Sequence, residues 1–576
     1  MNKHIILGAI VAMGLATVSC DDFLNDNRSP ISDQVNNNSF WENTANVDNQ
    51  INYFYQDYLG YGNGTGTGAF YFTTLNDDQC GRNNFTNWKN VNVPTSSTNW
   101  TSPYTEIRRA FLIIEGLNNP EQKRIYGAER DNYLGMCYLH IARQYYSLVR
   151  TYGDVPLLKN SIDLFNPEQV AEMYLPRVSR DVVMDYALEC INFAIENIAA
   201  QSAKTTLSKD LAQAIKTEIC LYEGSYNKYH TGNMSRANQF FQYAVAAGEA
   251  IAARYPIGDD YTATYKSLRV AGNGYNGLTN NSEIIFFKPY EKGVFMHSIM
   301  DYSCASDGIA GLTKDAFDSY LFLDGKPKAL TTYNNTDQGV PNATEKSLSI
   351  ANLLQVRDQR LAMTTYDHVF FSGMSWTGPN TSAMWSKSGY GVSKYDNFQT
   401  STSDATQANK GYTSAPLYWG ARLYLAIAEA KAELGTLTDA DVTTYIAPLW
   451  KRAGIEVAPT LAFLSGMNDP DNDMGVSSLL WEIRRCRRCE LIMDDDIRYW
   501  DLVRWHQLDK LDTTKNPDIA LGAYVANAPI QCQEVTGNYA NCTYGNSRTF
   551  EEKQYLFPIP SGQLTLNENL TQNPGW

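Results

Sequence analysis

Residues 211–251 read LAQAIKTEICLYEGSYNKYHTGNMSRANQFFQYAVAAGEAI, and this stretch decides the fold. Leu211, Ile215, Ile219, Tyr222 and Tyr226 recur at steps of three and four, the spacing that lines one face of an α-helix. Phe240, Ala244, Ala247 and Ile251 repeat the pattern. Thr231-Gly232-Asn233 is a short turn between them. Two amphipathic helices joined so closely lie antiparallel, which is the unit of a TPR-like solenoid. No strict consensus of the roughly 34-residue repeat is visible, so the reading rests on helix pairing.

Working outward, the same period marks Ile107, Phe111, Ile114 and Leu117, then Leu134, Tyr138, Ile141, Tyr145 and Leu148. Val183, Ala187, Cys190 and Ala194 follow, and Leu423, Ile427, Ala430 and Leu434 return to it much later. Between 255 and 415, and between 60 and 105, helical stripes vanish and Gly, Asn, Ser, Thr and aromatics take over. Loops this long on a rigid scaffold are where binding happens. The expected fold is mostly α: TPR-like helix pairs carrying large, irregular, loop-rich insertions. The expected divisions are 20–105 (tether and loops), 106–254 (helices), 255–415 (insertion) and 416–576 (C-terminal helices and tail), all within one domain.

At the N-terminus, Lys3 and His4 precede an apolar run from Ile5 to Val18. It is too short to cross a bilayer as a helix and sits where a secretory signal sits. Thr17-Val18-Ser19-Cys20 places small residues before a cysteine, although Thr17 stands where Leu is usual. Residues 1–19 are therefore expected to be removed and Cys20 to carry lipid. No other segment is long and apolar enough to span a membrane.

The net charge of −15 argues against nucleic acid and against an anionic lipid surface as partners. A Tyr-rich core and stacking of rings on sugar faces both account for the 38 tyrosines. Of the ten cysteines, Cys20 is assigned to lipid, which leaves an odd number and excludes complete intrachain pairing. Cys137, Cys190 and Cys220 fall on apolar helix faces. Cys486 and Cys489 form C-x-x-C inside a helix with no second pair, and read as structural. Cys532 and Cys542 flank a loop and are the best disulfide candidates. None of the six histidines forms H-E-x-x-H, and G-x-S-x-G is absent, so no enzyme is expected. A glycosidase carboxylate pair or a purely adhesive surface protein is the alternative.

The C-terminal end carries a resemblance. Tyr555-Leu556-Phe557-Pro558-Ile559-Pro560 and Asn567 through Trp576 resemble the closing signature of the SusD/RagB family. Ile483 through Leu491 and Arg498 through Trp505 are similar to its Arg-rich helix pair, with Cys489 and Asp494-Asp495-Asp496 as departures. Arg422 through Gly435, Tyr152-Gly153-Asp154-Val155-Pro156-Leu157, Asp324-Gly325-Lys326-Pro327 and Arg357-Asp358-Gln359-Arg360-Leu361 match further motifs, Gln359 replacing the more usual Pro. Asp21 and Asp22 after Cys20 resemble the surface-export signal of Bacteroidetes lipoproteins. The resemblance implies an outer-membrane lipoprotein, lipid-anchored and exposed at the cell surface. It would capture glycan, or peptide in the RagB branch, for a SusC-type TonB-dependent transporter. It implies no catalytic cofactor; some members bind calcium.

The expected ligand contacts are Asp78, Arg82, Asn87 and Trp88 in the first loop region, and Tyr290, Trp376 and Trp385 in the second. Carboxylate, guanidinium and amide beside a ring suit sugar hydroxyls and the apolar sugar face. Asp469, Asp471 and Asp473 form the calcium candidate, but Gly475 comes one place late for an EF-hand and no Glu stands at the twelfth position. Arg484, Arg485, Arg487 and Arg488 are expected to form ion pairs on a helix surface with Glu482 and Glu490, worth a few tenths of a kcal/mol each.

Overall fold

The computed structural model describes residues 39–66, 68, 75–80, 88, 91–163, 165–200, 202–258, 277–304, 311–334, 340–342, 347–371, 386–395, 407–526, 534–543 and 546–576. The signal segment, Cys20, Arg82, Asn87, Trp376, Trp385 and Cys532 lie outside them.

Nine helices carry the argument: α1 (Thr44–Ile51), α2 (Thr98–Asn118), α3 (Gly127–Tyr152), α4 (Arg180–Asn197), α5 (Lys209–Tyr226), α6 (Met234–Ala252), α7 (Gly420–Glu433), α8 (Ser478–Leu491) and α9 (Ile497–Arg504). Each expected stripe turns inward. Ile107, Phe111, Ile114 and Leu117 of α2 are buried, as are Leu134, Ile141, Tyr145 and Leu148 of α3. The helices pack α2 on α3, α3 on α4 and α5 on α6, with α7 laid across α6 and α8. Gly232 closes the α5–α6 turn at φ +69°, a left-handed conformation that costs glycine nothing. Asn233 then caps α6 by accepting from the Arg236 N–H at 3.1 Å.

The later half contains more sheet than its loop-like composition suggests. β1 (Ile284–Lys288) pairs antiparallel with β6 (Ala415–Trp419), which runs directly into α7. Glu283 joins them: its carbonyl accepts from the Gly420 N–H at 2.8 Å and its carboxylate from the Ala421 N–H at 3.2 Å. A four-stranded antiparallel sheet orders β2 (Val340–Asn342), β3 (Ser347–Ser349), β4 (Thr365–Val369) and β5 (Tyr390–Val392). Near the end, β9 (Tyr539–Asn541) sits between β7 (Leu521–Tyr524) and β8 (Val535–Thr536). Among the described residues no helix is long and apolar enough to cross a membrane.

The chain's two motif-rich ends meet. The Phe557 N–H donates to the Thr151 carbonyl at 2.8 Å, and Asn573 Nδ2 donates to the carbonyls of Tyr152 and Phe557 at 3.0 and 2.7 Å. Arg177 also donates to the Asp154 carbonyl at 2.7 Å and to the Thr571 carbonyl at 2.9 Å. The C-terminal tail thus satisfies backbone groups freed where α3 stops at Gly153.

The arginines of α8 differ from the expectation of exposed local pairs. Arg484, Arg485 and Arg487 are buried, and most partners come from distant segments. Arg485 keeps the expected local pair with Glu482 at 3.1 Å and adds Asp469, while Arg484 pairs with Glu433 at 3.0 Å, Arg487 with Asp501 at 2.8 Å and Arg488 with Asp78 at 2.7 Å and Asp315 at 2.6 Å. Arg452 bridges Glu283 at 2.8 Å and Glu490, while Arg360 bridges Asp358 at 2.5 Å and Glu490 at 3.0 Å. Helix periodicity gives the face of a charge, not the partner that tertiary packing brings to it.

Candidate functional site

Trp88 stands at a corner made with the C-terminal segment. Its ring is half-buried, and its indole N–H donates to the Thr549 carbonyl at 2.6 Å. Phe550 meets it edge-on at 5.9 Å, and the Arg548 guanidinium lies 5.7 Å from the ring centre. Arg548 is itself fixed, its Nε donating to the Leu511 carbonyl at 2.7 Å. The corner therefore offers an aromatic ring whose orientation is set before any ligand arrives.

Asp78 and Tyr290 do not join it as contacts. Asp78 is 1% exposed and accepts from Arg488 Nε at 2.7 Å. Burial pushes its carboxyl above the ordinary range, Asp77 adds to this, and Arg488 opposes it. Asp77 lies alongside, gripped by Arg498 at 2.6 and 2.7 Å. Tyr290 is wholly buried, stacked on Phe295 at 4.9 Å with its hydroxyl donating to the Gly62 carbonyl at 2.7 Å. A carboxylate in a loop rich in Asn and Gly looks solvent-facing in sequence; here it is a counterion of α8. Both side chains belong to the interior and present no surface to a ligand.

Two carboxylates of the Asp469–Asp473 run are likewise committed to cations of the chain. Asp469 binds Arg485 and accepts from Trp481 Nε1 at 3.0 Å, and Asp473 binds Lys510. Among the described residues no cluster of three or more His, Cys, Asp or Glu is arranged to hold a metal ion.

A second concave feature lies between the helices. A cavity of about 860 Å³ is walled by the start of α2, the C-terminal part of α3, α5, the β6–α7 junction, the Asp495-Asp496 turn and α9. Aromatic rings there carry guanidinium groups on their faces. Arg143 sits 3.8 Å over Tyr58, Arg150 4.3 Å over Trp500, and Arg422 4.5 Å over Tyr418. Arg422 also clasps Glu218, at 2.6 Å for the Nη2–Oε2 contact. Asp501 is held between Arg487 at 2.8 Å and Arg504 at 2.9 Å. Burial raises its carboxyl pKa, but these two arginines outweigh burial and leave it below the usual range. Burial pushes Tyr58 up to about 12, Arg143 opposing, and raises Tyr146 and Tyr222 as well. These hydroxyls keep their protons at neutral pH and remain donors.

In sequence Tyr222 belongs to a core stripe, and nothing there groups it with Tyr146, Arg143, Arg150 and Trp500. Stretches scattered from Asp57 to Arg504 supply the walls, and no spacing in sequence marks such an assembly.

A profile described as the SusD family matches residues 268–576, more than half of the chain. The chain belongs to the SusD family. A second profile, described as starch-binding and associating with the outer membrane, matches residues 22–221. The SusD-like protein P38 of Formosa agariphila is 31% identical over 153 residues, which is 26% of this chain and 28% of that relative. The match thus spans little more than a quarter of the relative's length. Among solved structures, a SusD-like carbohydrate binding protein from Bacteroides fragilis superposes with a TM-score of 0.68 at 19% identity, over 92% of this chain and 100% of that one. A laminarin binding SusD-like protein superposes with a TM-score of 0.52 at 15% identity, over 92% and 99%. At such identities the likeness is one of fold, and it confirms the mostly helical SusD-like architecture.

Proposed function

We propose that this SusD-family protein captures oligosaccharide at the cell surface and passes it to a SusC-type TonB-dependent transporter. It performs no chemistry on the ligand. A lipid on Cys20 would hold it to the outer membrane. The observation that carries the reading is Trp88: a ring half-open to solvent, locked by its N–H to Thr549 and flanked by Arg548. The exposed part of the ring suits the apolar face of a sugar, while Arg548, 1% exposed, backs the ring and does not reach a ligand. The starch-binding description of the N-terminal profile and the carbohydrate- and laminarin-binding relatives support the ligand class. Arg82, Asn87, Trp376 and Trp385 complete the proposed contact set.

Sugar hydroxyls exchange water hydrogen bonds for protein ones of similar strength, so affinity is modest. We expect dissociation constants of about 1 μM to 1 mM, roughly −8 to −4 kcal/mol. Calorimetric titration against a panel of glycans, repeated with Trp88→Ala, tests this. Heat from one glycan class that disappears in the variant establishes capture at this corner. A silent panel together with binding of peptides moves the protein to the peptide-capturing branch.

A further inference from the structure

The acceptor that locks Trp88 is one edge of a single peptide unit. The Thr549 carbonyl and the Phe550 N–H belong to the same planar amide, which is trans and holds its oxygen and hydrogen on opposite edges. The oxygen accepts from the Trp88 indole N–H at 2.6 Å. The hydrogen on the far edge is donated to the Asp512 carboxylate, Phe550 N to Oδ2 at 3.0 Å. Carboxylate, peptide and indole thus form one unbroken line of hydrogen bonds. A plane gripped on both edges is not free to swing about its flanking bonds. An ionised acceptor also makes the stronger bond and polarises the amide behind it, which makes the Thr549 oxygen a better acceptor for the indole.

Asp512 is itself held in place. It is 5% exposed, and its other oxygen accepts from the Thr514 N–H at 2.8 Å and the Thr514 hydroxyl at 2.6 Å. Burial raises its carboxyl pKa, but the Thr514 hydroxyl and the Phe550 N–H outweigh burial and leave it below the usual range, so the group is charged at neutral pH. Its neighbours grip the same segment. The Thr513 N–H donates to the Arg548 carbonyl at 2.9 Å, and the Thr513 hydroxyl accepts from the Arg548 N–H at 3.0 Å. The Leu511 carbonyl takes Arg548 Nε at 2.7 Å. Three consecutive residues therefore fasten the stretch that carries Thr549. Of these bonds, the one from Asp512 falls on the peptide that faces Trp88.

We infer that Asp512 is a positioning residue of the Trp88 corner: it fixes the plane of the ring through the Thr549–Phe550 peptide without touching a ligand. The indole N–H is spent inside the protein, so the ring meets a sugar by its carbon surface alone. The effect on ligand rests on the proposed capture at Trp88. The coupling of Asp512 to the ring stands without it, and the experiment reads the two separately.

The first readout is the indole N–H magnetic-resonance signal of Trp88 in isotope-labelled protein, assigned by its loss in Trp88→Phe. Asp512→Asn removes the charge and leaves one oxygen to serve either Phe550 or Thr514. It is expected to move the Trp88 signal upfield and to speed its hydrogen exchange about threefold. The second readout is calorimetric titration with the glycan panel. Asp512→Asn is expected to weaken binding about threefold in the Trp88 protein and to change nothing in the Trp88→Phe protein, where no indole N–H remains. A role confined to holding the turn would cost the same in both backgrounds. Should Asp512→Asn not fold, Thr514→Val, at an exposed position, loosens the same carboxylate and is read in its place, with the same directions expected. Two outcomes overturn the inference: a Trp88 signal and exchange rate untouched by the variant, or an equal loss of affinity in both backgrounds. A moved signal with a silent glycan panel upholds the coupling of Asp512 to Trp88 and overturns the capture reading instead.

Discussion

Arg504 and Glu429 form a two-pronged ion pair, Nη1 to Oε1 and Nη2 to Oε2 both at 2.6 Å, with neither side chain reaching solvent. It fastens α9 to α7 across the interior. Burial would raise the Glu429 carboxyl pKa, but Arg504 and Arg484 overcome burial and hold it below the usual range. Its contribution to stability is therefore present above the ordinary carboxylate pKa and fades as pH falls through the lowered one. Glu429→Gln keeps the shape and removes the charge, leaving Arg504 undercompensated. We expect a loss of about 3 kcal/mol or more, read as a lower midpoint in urea unfolding with an unchanged slope. A loss within about 0.5 kcal/mol, the range of an ordinary surface substitution, would show that Asp501 alone neutralises Arg504.

His297 gives the fold a pH limit. Its Nε2–H donates to the Thr413 carbonyl at 2.9 Å, while Nδ1 accepts from the Ile299 N–H at 3.3 Å. Both nitrogens are thus committed to the neutral tautomer, between the rings of Tyr61 and Tyr290. Burial pulls its pKa down to about 3. Protonation therefore favours the unfolded chain. The stabilising effect is complete above the unfolded value of about 6.5 and is lost below it, at up to ~1.4 kcal/mol per pH unit. Unfolding measured from pH 6.5 to 5, above most carboxylate titrations, should show the decline. His297→Gln should flatten it, with His140 and His230, whose pKa values burial also lowers, supplying the residual slope. An identical slope in the variant contradicts this assignment.

Gly248 is where α6 touches α7. A Cβ there would lie 2.5 Å from Ile427 Cγ1 and 2.8 Å from Ile427 Cδ1. Gly248→Ala gains helix propensity of up to ~1 kcal/mol but forces two buried helices apart. We expect a net loss of about 1–2 kcal/mol in chemical denaturation. A more stable variant would mean that Ile427 rotates away freely.

For Trp88, ring and N–H should separate. Trp88→Phe retains a stacking surface and loses the bond to Thr549, so glycan affinity should fall only several-fold, about 1 kcal/mol. Trp88→Ala should lose binding at this corner beyond measurement. Equal losses in calorimetry would show that ring orientation, rather than ring surface, decides affinity.

The helical frame was legible because each stripe repeats over three or more turns, as in Leu211 to Tyr226 or Leu134 to Leu148. The four-stranded sheet was not. Its strands are three to five residues long, too short for a period of two to stand out from polar loop composition. Tyr290 and Trp88 posed the same question in sequence, an aromatic within a loop, and the structure answers differently: one is sealed inside and the other half-open. Loop composition gives no measure of what packs over a ring. The cavity was illegible for a related reason, since Tyr58, Arg150, Tyr222 and Trp500 come together only after folding.

The long-range pairing of α8 and α9 also bears on when the protein can finish folding. Asp77 finds its partners Arg488 and Arg498 only 411 and 421 residues further along the chain. That pairing cannot form until the chain as far as α9 is present. A chain cut short before α8 retains these carboxylates without counterions and has no tail to close the end of α3. Completion is thereby built into the electrostatics, and a product truncated before α8 is expected to be cut faster by protease than the whole chain.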